Sequence, residues 1–175
     1  VFPMGQTSSS PRPDAPYTRK GVTYSSSGAV TSSLFASIAS GQIPPSGSPP
    51  SLLHRGPSMS AFAAASPCSK YHVLVVTRSH VASHLDLAGA EGLEVLDAMV
   101  SLGESLAAKA EVADPVLGFH TPPWNSVDHI HMHVIDPKGY VSWKGWVKFA
   151  GDWTPWFCSA KAVRRRIVKE IEAEE

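Results

Sequence analysis

An α+β fold is predicted for this 175-residue chain by three observations. Residues 71–77, Tyr-His-Val-Leu-Val-Val-Thr, form a β-branched and aromatic run behind the turn signal Ser66-Pro67, which is the composition of a buried strand. Residues 91–112 place Leu93, Leu96, Met99, Gly103, Leu106, Ala107 and Ala110 three or four apart, with Glu94, Asp97, Glu104 and Lys109 elsewhere. That spacing is the period of an amphipathic helix. Residues 129–135 alternate histidine with Ile, Met and Val, the two-residue period of a strand. The architecture expected is an antiparallel sheet of about five strands, with the long helix packed on it and a second helix at the C-terminus from about residue 159.

The other elements follow from local signals. Leu34 to Ala39 reads as one or two helical turns stopped by Gly41. The long helix should end near Asp114-Pro115, because the residue before proline avoids the helical region. Val116 to His120 is a short strand, and Thr121-Pro122-Pro123-Trp124-Asn125 a loop, since two prolines cannot sit in a central strand. Residues 159–175 set Ala162, Val163, Ile167 and Ile171 among charges and read as the closing helix, with Arg164, Arg165 and Arg166 on its solvated face. Trp143, Trp146, Trp153 and Trp156, with Lys144 and Lys148 among them, are expected to pack the C-terminal segment over the sheet. The alternative for these rings is a stacking surface for single-stranded nucleic acid.

Composition divides the chain. Half of residues 1–60 are Ser, Pro or Gly (15, 9 and 6), and Asp14 is their one acid, so most of this stretch should be unable to offset the entropy of ordering it. The organisation expected is a low-complexity extension over residues 1–33, then a folded domain over 34–175 with a Pro/Ser/Gly-rich insertion near 44–58. The Ser-rich, acid-poor start also fits an organellar transit peptide, and the chain begins at Val1, as a processed or partial sequence would. The compartment therefore stays open between cytoplasm or nucleus and a mitochondrion or plastid. Lys+Arg and Asp+Glu are 15 each, which gives no electrostatic case for nucleic acid or an anionic membrane as partner. No apolar run approaches the roughly 18–20 residues of a membrane helix. Cys68 and Cys158 make neither a disulfide framework nor a close metal pair.

Three of the eight histidines fall in one strand, His129, His131 and His133, and alternation puts them on one face with Ile130, Met132 and Val134 on the other. Imidazoles in a row are costly to bury without partners, so a structural strand would gain more from Val or Thr. One alternative is a zinc site. All three cannot share a metal, because the outer Cα atoms stand roughly 13 Å apart at ~3.3 Å per residue while Zn–N bonds are about 2.0–2.1 Å. A two-histidine site would need a further ligand from His72, His80 or His120. The other alternative is nucleophilic attack by an imidazole on phosphorus, which needs one neutral, oriented histidine, donors for the phosphate oxygens and an acid for the leaving group. The strand supplies them together with the polar turn Asn125-Ser126.

His129-Ile130-His131-Met132-His133-Val134-Ile135 resembles the motif that names the histidine-triad superfamily. The preceding Gly118-Phe119-His120-Thr121-Pro122-Pro123-Trp124-Asn125-Ser126-Val127-Asp128 is similar to the branch of histidine-triad nucleotide-binding proteins and adenylylsulfatases, with some likeness to aprataxin. Residues 71–80 resemble the family strand that begins and ends near histidines. Leu34 to Pro45 resembles its opening helix, which usually begins with a cysteine. The resemblance implies a histidine-triad fold and cleavage of an adenylyl conjugate, such as a nucleoside phosphoramidate or adenylyl sulfate, without cofactor or metal. It implies His131 as nucleophile, His133 donating to the phosphate, His129 orienting the nucleophile, His72 packed behind the triad and Ser126 on the leaving group. Asn125, His120 and Phe62 would touch substrate. A homodimer is the implied assembly and a small nucleotide the implied partner. One departure stands out: the family's Ala-Phe-x-Asp-Ile-x-Pro appears here as Ala61-Phe62-Ala63-Ala64-Ala65-Ser66-Pro67, so Ala64 stands where an aspartate accepts from the ribose hydroxyls. Losing a charge-assisted acceptor costs about 1.5–3 kcal/mol. The alternatives are a weak or inactive domain, joined to a larger assembly through its N-terminal extension, and an aprataxin-like DNA-adenylate hydrolase.

Overall fold

The computed structural model describes residues 15–39, 51–149 and 151–174. Six strands form one antiparallel sheet: β4 (Leu52–Arg55), β5 (Met59–Ala63), β6 (His72–Thr77), β7 (Val116–His120), β8 (His131–Ile135) and β9 (Phe157–Ser159), in the order β4-β5-β6-β8-β7-β9. The expected number of about five is met and exceeded by one, because exposed Leu52–Arg55 adds an edge strand to β5 that its Gly/Pro-rich surroundings conceal. The triad strand β8 is central, with Leu74↔His133 on one side and Gly118↔His133 on the other.

The long helix α2 (Gly89–Lys109) and the closing helix α4 (Ala160–Glu174) cover one face. Leu96, Met99 and Ala107 of α2 and Val163 and Ile167 of α4 meet Val73, Val75, Met132 and Val134, which come from alternate positions of β6 and β8. Gly103 lets helix and strand approach, since a Cβ there would lie 2.8 Å from Met132 Cε and 3.0 Å from Val134 Cγ2. The helix stops at Lys109, short of the expected end, because Glu111 and Asp114 take left-handed φ values of 57° and 51°. The arginines of α4 are more engaged than a solvated face requires: Arg164 pairs with Asp97 at 3.0 Å, and Arg166 donates to the carbonyls of His84 and Leu87 at 2.9 Å each.

Residues 17–33, assigned by composition to an extension, are folded. They form a meander of β1 (Tyr17–Arg19), β2 (Val22–Tyr24) and β3 (Val30–Ser33) that runs directly into α1 (Leu34–Ala39). The serines here occupy turns, while Tyr17, Val22, Thr23, Val30 and Thr31 have the β preference that bulk composition averages away. Val22 and Tyr24 are buried, and Tyr17 stacks on Tyr24 with centroids 5.1 Å apart. Residues 1–14, with the transit-peptide reading, and 44–50 of the expected insertion lie outside the described residues.

On the second face of the sheet, Phe35, Ile38 and Ala39 of α1 pack on Phe62, Leu74, Val76 and Val127. A short helix α3 (Trp143–Lys148), unanticipated in the sequence reading, brings Phe149 onto Ile135 and Phe157. The tryptophans do not all pack as expected. Trp156 is half-buried in this cluster, whereas Trp143 (71% exposed), Trp146 (54%) and Trp153 (71%) project into solvent. Among the described residues no helix is long and apolar enough to cross a membrane.

Candidate active site

The second face of the sheet carries a cavity of about 720 Å³. Five of the residues expected at the site line it: Phe62 on β5, His72 on β6, His131 and His133 on β8, and Ser126 in the turn before β8. His129, His120 and Asn125 do not. His129 precedes the strand, which begins at His131, and is fully buried beneath it. His120 lies one strand over, behind His133, and faces a separate hollow lined by Trp124, Trp143 and Trp156. Asn125 is turned inward, donating to the Val127 carbonyl at 3.1 Å and to Asp128 Oδ1 at 3.0 Å, so it braces the turn that presents Ser126 instead of lining the cavity. A second cavity of about 710 Å³, bordered by Asp97, Val100 and Arg164, holds no imidazole.

Hydrogen bonds fix the state of each triad ring. His131 Nδ1 donates to the His129 carbonyl at 2.8 Å, which leaves Nε2 as the unprotonated nitrogen, and no described donor engages it. Phe35 meets this ring edge-on at 5.0 Å between centroids. His129 Nε2 donates to the Thr77 carbonyl at 2.8 Å, so its Nδ1 is the acceptor for Ser33 Oγ at 2.7 Å.

The Cys68 amide donates to His72 Nδ1 at 3.2 Å, so His72 donates through Nε2 to His133 Nδ1 at 2.9 Å. His133 must then donate through Nε2 to His120 Nδ1 at 3.0 Å. Its one proton then lies on Nε2, toward the neighbouring imidazole. His120 reaches His133 from the adjacent strand, a proximity that a separation of thirteen residues in sequence hides.

Burial keeps these rings neutral. It holds His72, His120 and His129 down at about 4, with the nearby Lys148 ammonium adding to the effect on His72 and His120. His131 is lowered chiefly by burial, against the pull of the His129 carbonyl, and His133 is lowered well below the ordinary value by burial and then by the surrounding imidazoles. A neutral His131 with Nε2 free is in the state a nucleophile needs at neutral pH.

Three contributors to the site were missed in the sequence. Lys148, at the end of α3, is the one Lys or Arg among the described residues that line the cavity; its sequence neighbours are tryptophans, and nothing local brings it beside the triad. Ser33 and Lys20 act from the meander, whose composition disguised it. Lys20 Nζ donates to Asn125 Oδ1 at 2.7 Å and to the Pro123 carbonyl at 2.8 Å. The expected gap at Ala64 is real: Ala63, Ala64 and Ala65 line the cavity, with Ser51 and Ser66 nearby, and no carboxylate is among its lining residues. His80 lies beside His129 with centroids 5.3 Å apart. Among the described residues no three of His, Cys, Asp and Glu are grouped so as to hold a metal, and the ring nitrogens that a zinc ion would need from His72 and His133 are bonded to one another.

An α+β sheet whose central strand presents alternating imidazoles to an open cavity defines a protein of the histidine-triad superfamily. Within it, the chain belongs to the family described as scavenger mRNA decapping enzyme C-term binding, whose profile matches residues 34–147. It is 32% identical to adenosine 5'-monophosphoramidase HINT3 of Mus musculus over 108 residues, 59% of this chain and 62% of that protein. It is 35% identical to the bifunctional adenosine 5'-phosphosulfate phosphorylase/adenylylsulfatase HINT4 of Arabidopsis thaliana over 95 residues, 53% of this chain and 65% of that one. The chain thus spans about three-fifths of the length of these curated relatives. A solved histidine triad protein from Clostridium difficile shares the fold, with a TM-score of 0.54, 20% identity and coverage of 63% of this chain and 94% of that one.

Proposed function

We propose that the protein cleaves an adenylyl conjugate, a nucleoside phosphoramidate or adenylyl sulfate, through a nucleotidyl-histidine intermediate. The observation that carries this reading is the free Nε2 of His131 facing a nucleotide-sized cavity, held in that tautomer by the His129 carbonyl. His131 Nε2 attacks the α-phosphorus, forming a P–N bond as the bond to the leaving group breaks; sulfate departs as the anion, and an amine departs after taking a proton from solvent water admitted by the open cavity. Lys148 offsets phosphate charge, and Ser126 stands at the mouth beside the departing group. Water then attacks the same phosphorus, releasing the nucleoside monophosphate and restoring His131. Phe62, Leu74 and Ile38 offer an apolar wall for the base. The similarity to proteins named as a monophosphoramidase and an adenylylsulfatase agrees with this chemistry.

The test is turnover of adenosine 5'-phosphoramidate and adenylyl sulfate with intact-mass detection of the adduct. His131→Ala should lower kcat on the order of 10³-fold or more while the chain stays folded. Folded wild-type protein that neither turns over these compounds nor binds AMP would instead establish the scaffold reading. The exposed Trp124 and Trp143 beside Lys144 favour a second reading, hydrolysis of a DNA-linked adenylate, which requires salt-dependent binding to nicked DNA.

A further inference from the structure

We propose that the meander, residues 17–33, is a positioning element of the catalytic site, in which Ser33 fixes the ring of His129 and Lys20 fixes the turn that carries Ser126. The inference deepens the proposed function and rests on it for its kinetic readout. The family match begins at Leu34, so these strands lie upstream of the matched segment.

The β1–β2 hairpin turns at Lys20 and Gly21, with φ values of 44° and 73°. A lysine at positive φ is disfavoured where Asn or Gly would do. At this turn tip its ammonium reaches both the Pro123 carbonyl and Asn125 Oδ1. From there a closed ring of bonds returns to the hairpin. Asn125 Nδ2 donates to Asp128 Oδ1, Asp128 Oδ2 accepts from Arg19 Nε, and the Asp128 amide donates to the Lys20 carbonyl at 3.0 Å. Ser126 sits inside that ring's span, exposed at the cavity.

At the other end of the meander, Ser33 and His129 are 4% and 0% exposed, so the hydroxyl and Nδ1 have no water to replace one another. Because the Thr77 carbonyl takes the Nε2 proton, Ser33 must donate to Nδ1. Residue 129 in turn supplies the carbonyl that holds the His131 tautomer. Freedom at His129 is therefore passed to the nucleophile.

The experiment uses the full chain with Ser33→Ala, Ser33→Thr and Lys20→Met, read by imidazole 15N shifts and by kcat and KM for adenosine 5'-phosphoramidate. Ser33→Ala should leave the Nε2–H form of His129, which the Thr77 carbonyl enforces, but strip the donor from Nδ1, moving its 15N shift toward that of an unbonded ring nitrogen and lowering kcat about tenfold at nearly constant KM. Ser33→Thr should restore both. Lys20→Met changes a partly exposed residue and leaves the core untouched; it should lower kcat/KM about threefold to tenfold. A wild-type Nδ1 shift and kcat in Ser33→Ala, or wild-type kcat/KM in Lys20→Met, would overturn the proposal. If wild-type protein turns over no phosphoramidate, the proposed function falls, and the His129 Nδ1 shift in Ser33→Ala alone decides whether Ser33 positions the ring.

Discussion

The two faces of the central sheet are built from the same strands and obey different rules. On one, Val73, Val75, Met132 and Val134 meet helices α2 and α4 in a continuous cluster of apolar side chains. On the other, His72, His131, His133 and His120 occupy the alternate positions of β6, β8 and β7, each tied to a named partner. The apolar face needs only the right period and volume. The histidine face needs a specific acceptor or donor for every ring, and those come from β3, the Cys68 loop and the next strand. Stability belongs mainly to the first face and chemistry to the second, which lets each be disturbed separately.

The sharpest separation comes from Met132→Ala, which deletes a fully buried side chain between β8 and α2 and should cost about 2–5 kcal/mol in urea unfolding. Turnover per folded molecule should stay near wild type. A large drop in kcat would show that the faces are mechanically coupled.

Acid should act on the other face. His72, His120 and His129 are held at about 4, below the ordinary 6.5, so the unfolded chain binds more protons than the folded one between those values. Stability is full above pH 6.5 and falls as pH drops toward 4, by on the order of 1–2 kcal/mol per ring at pH 5. Met132→Ala should lower the whole curve without changing that slope. A melting temperature flat from pH 7 to 4.5 would refute the assignment of neutral, buried rings.

The smallest effect expected is a gain. Ala64 is half-buried beside the cavity, at the edge of the cluster that holds Phe35 and Phe62, so Ala64→Asp should tighten AMP binding about tenfold at the cost of a small drop in melting temperature. Unchanged affinity by calorimetry would mean that Ser51, Ser66 or the backbone already serves the ribose.

Much of the apolar face was legible, because one residue in two on a strand and one in three or four on a helix report burial directly. The strands at 72–77, 116–120 and 131–135 and helices α2 and α4 fall where those periods put them, within a few residues. His131, His133, His72, Ser126 and Phe62, read from the repetition of the triad and from the resemblance, come together around one cavity. What escaped was pairing across the chain. Nothing local reveals that His120 would take the His133 proton, that Lys148 would stand over the cavity, or that a serine in a Ser-rich stretch would close on His129. A hydrogen-bond partner has no period.

The Ser33–His129 bond joins residues 96 apart in sequence, and the Arg19–Asp128 pair spans 109. Contacts of that separation form only after the intervening chain has been drawn together, because closing so large a loop yields nothing until its ends meet. The sheet can register through nearer pairings, β5 with β6 and β7 with β8, before the meander docks. During synthesis the meander emerges before its counterpart and waits more than ninety residues for it. The nucleophile is thus set in place at the end of folding, and a chain stopped before residue 129 holds one half of a clamp with nothing to grip.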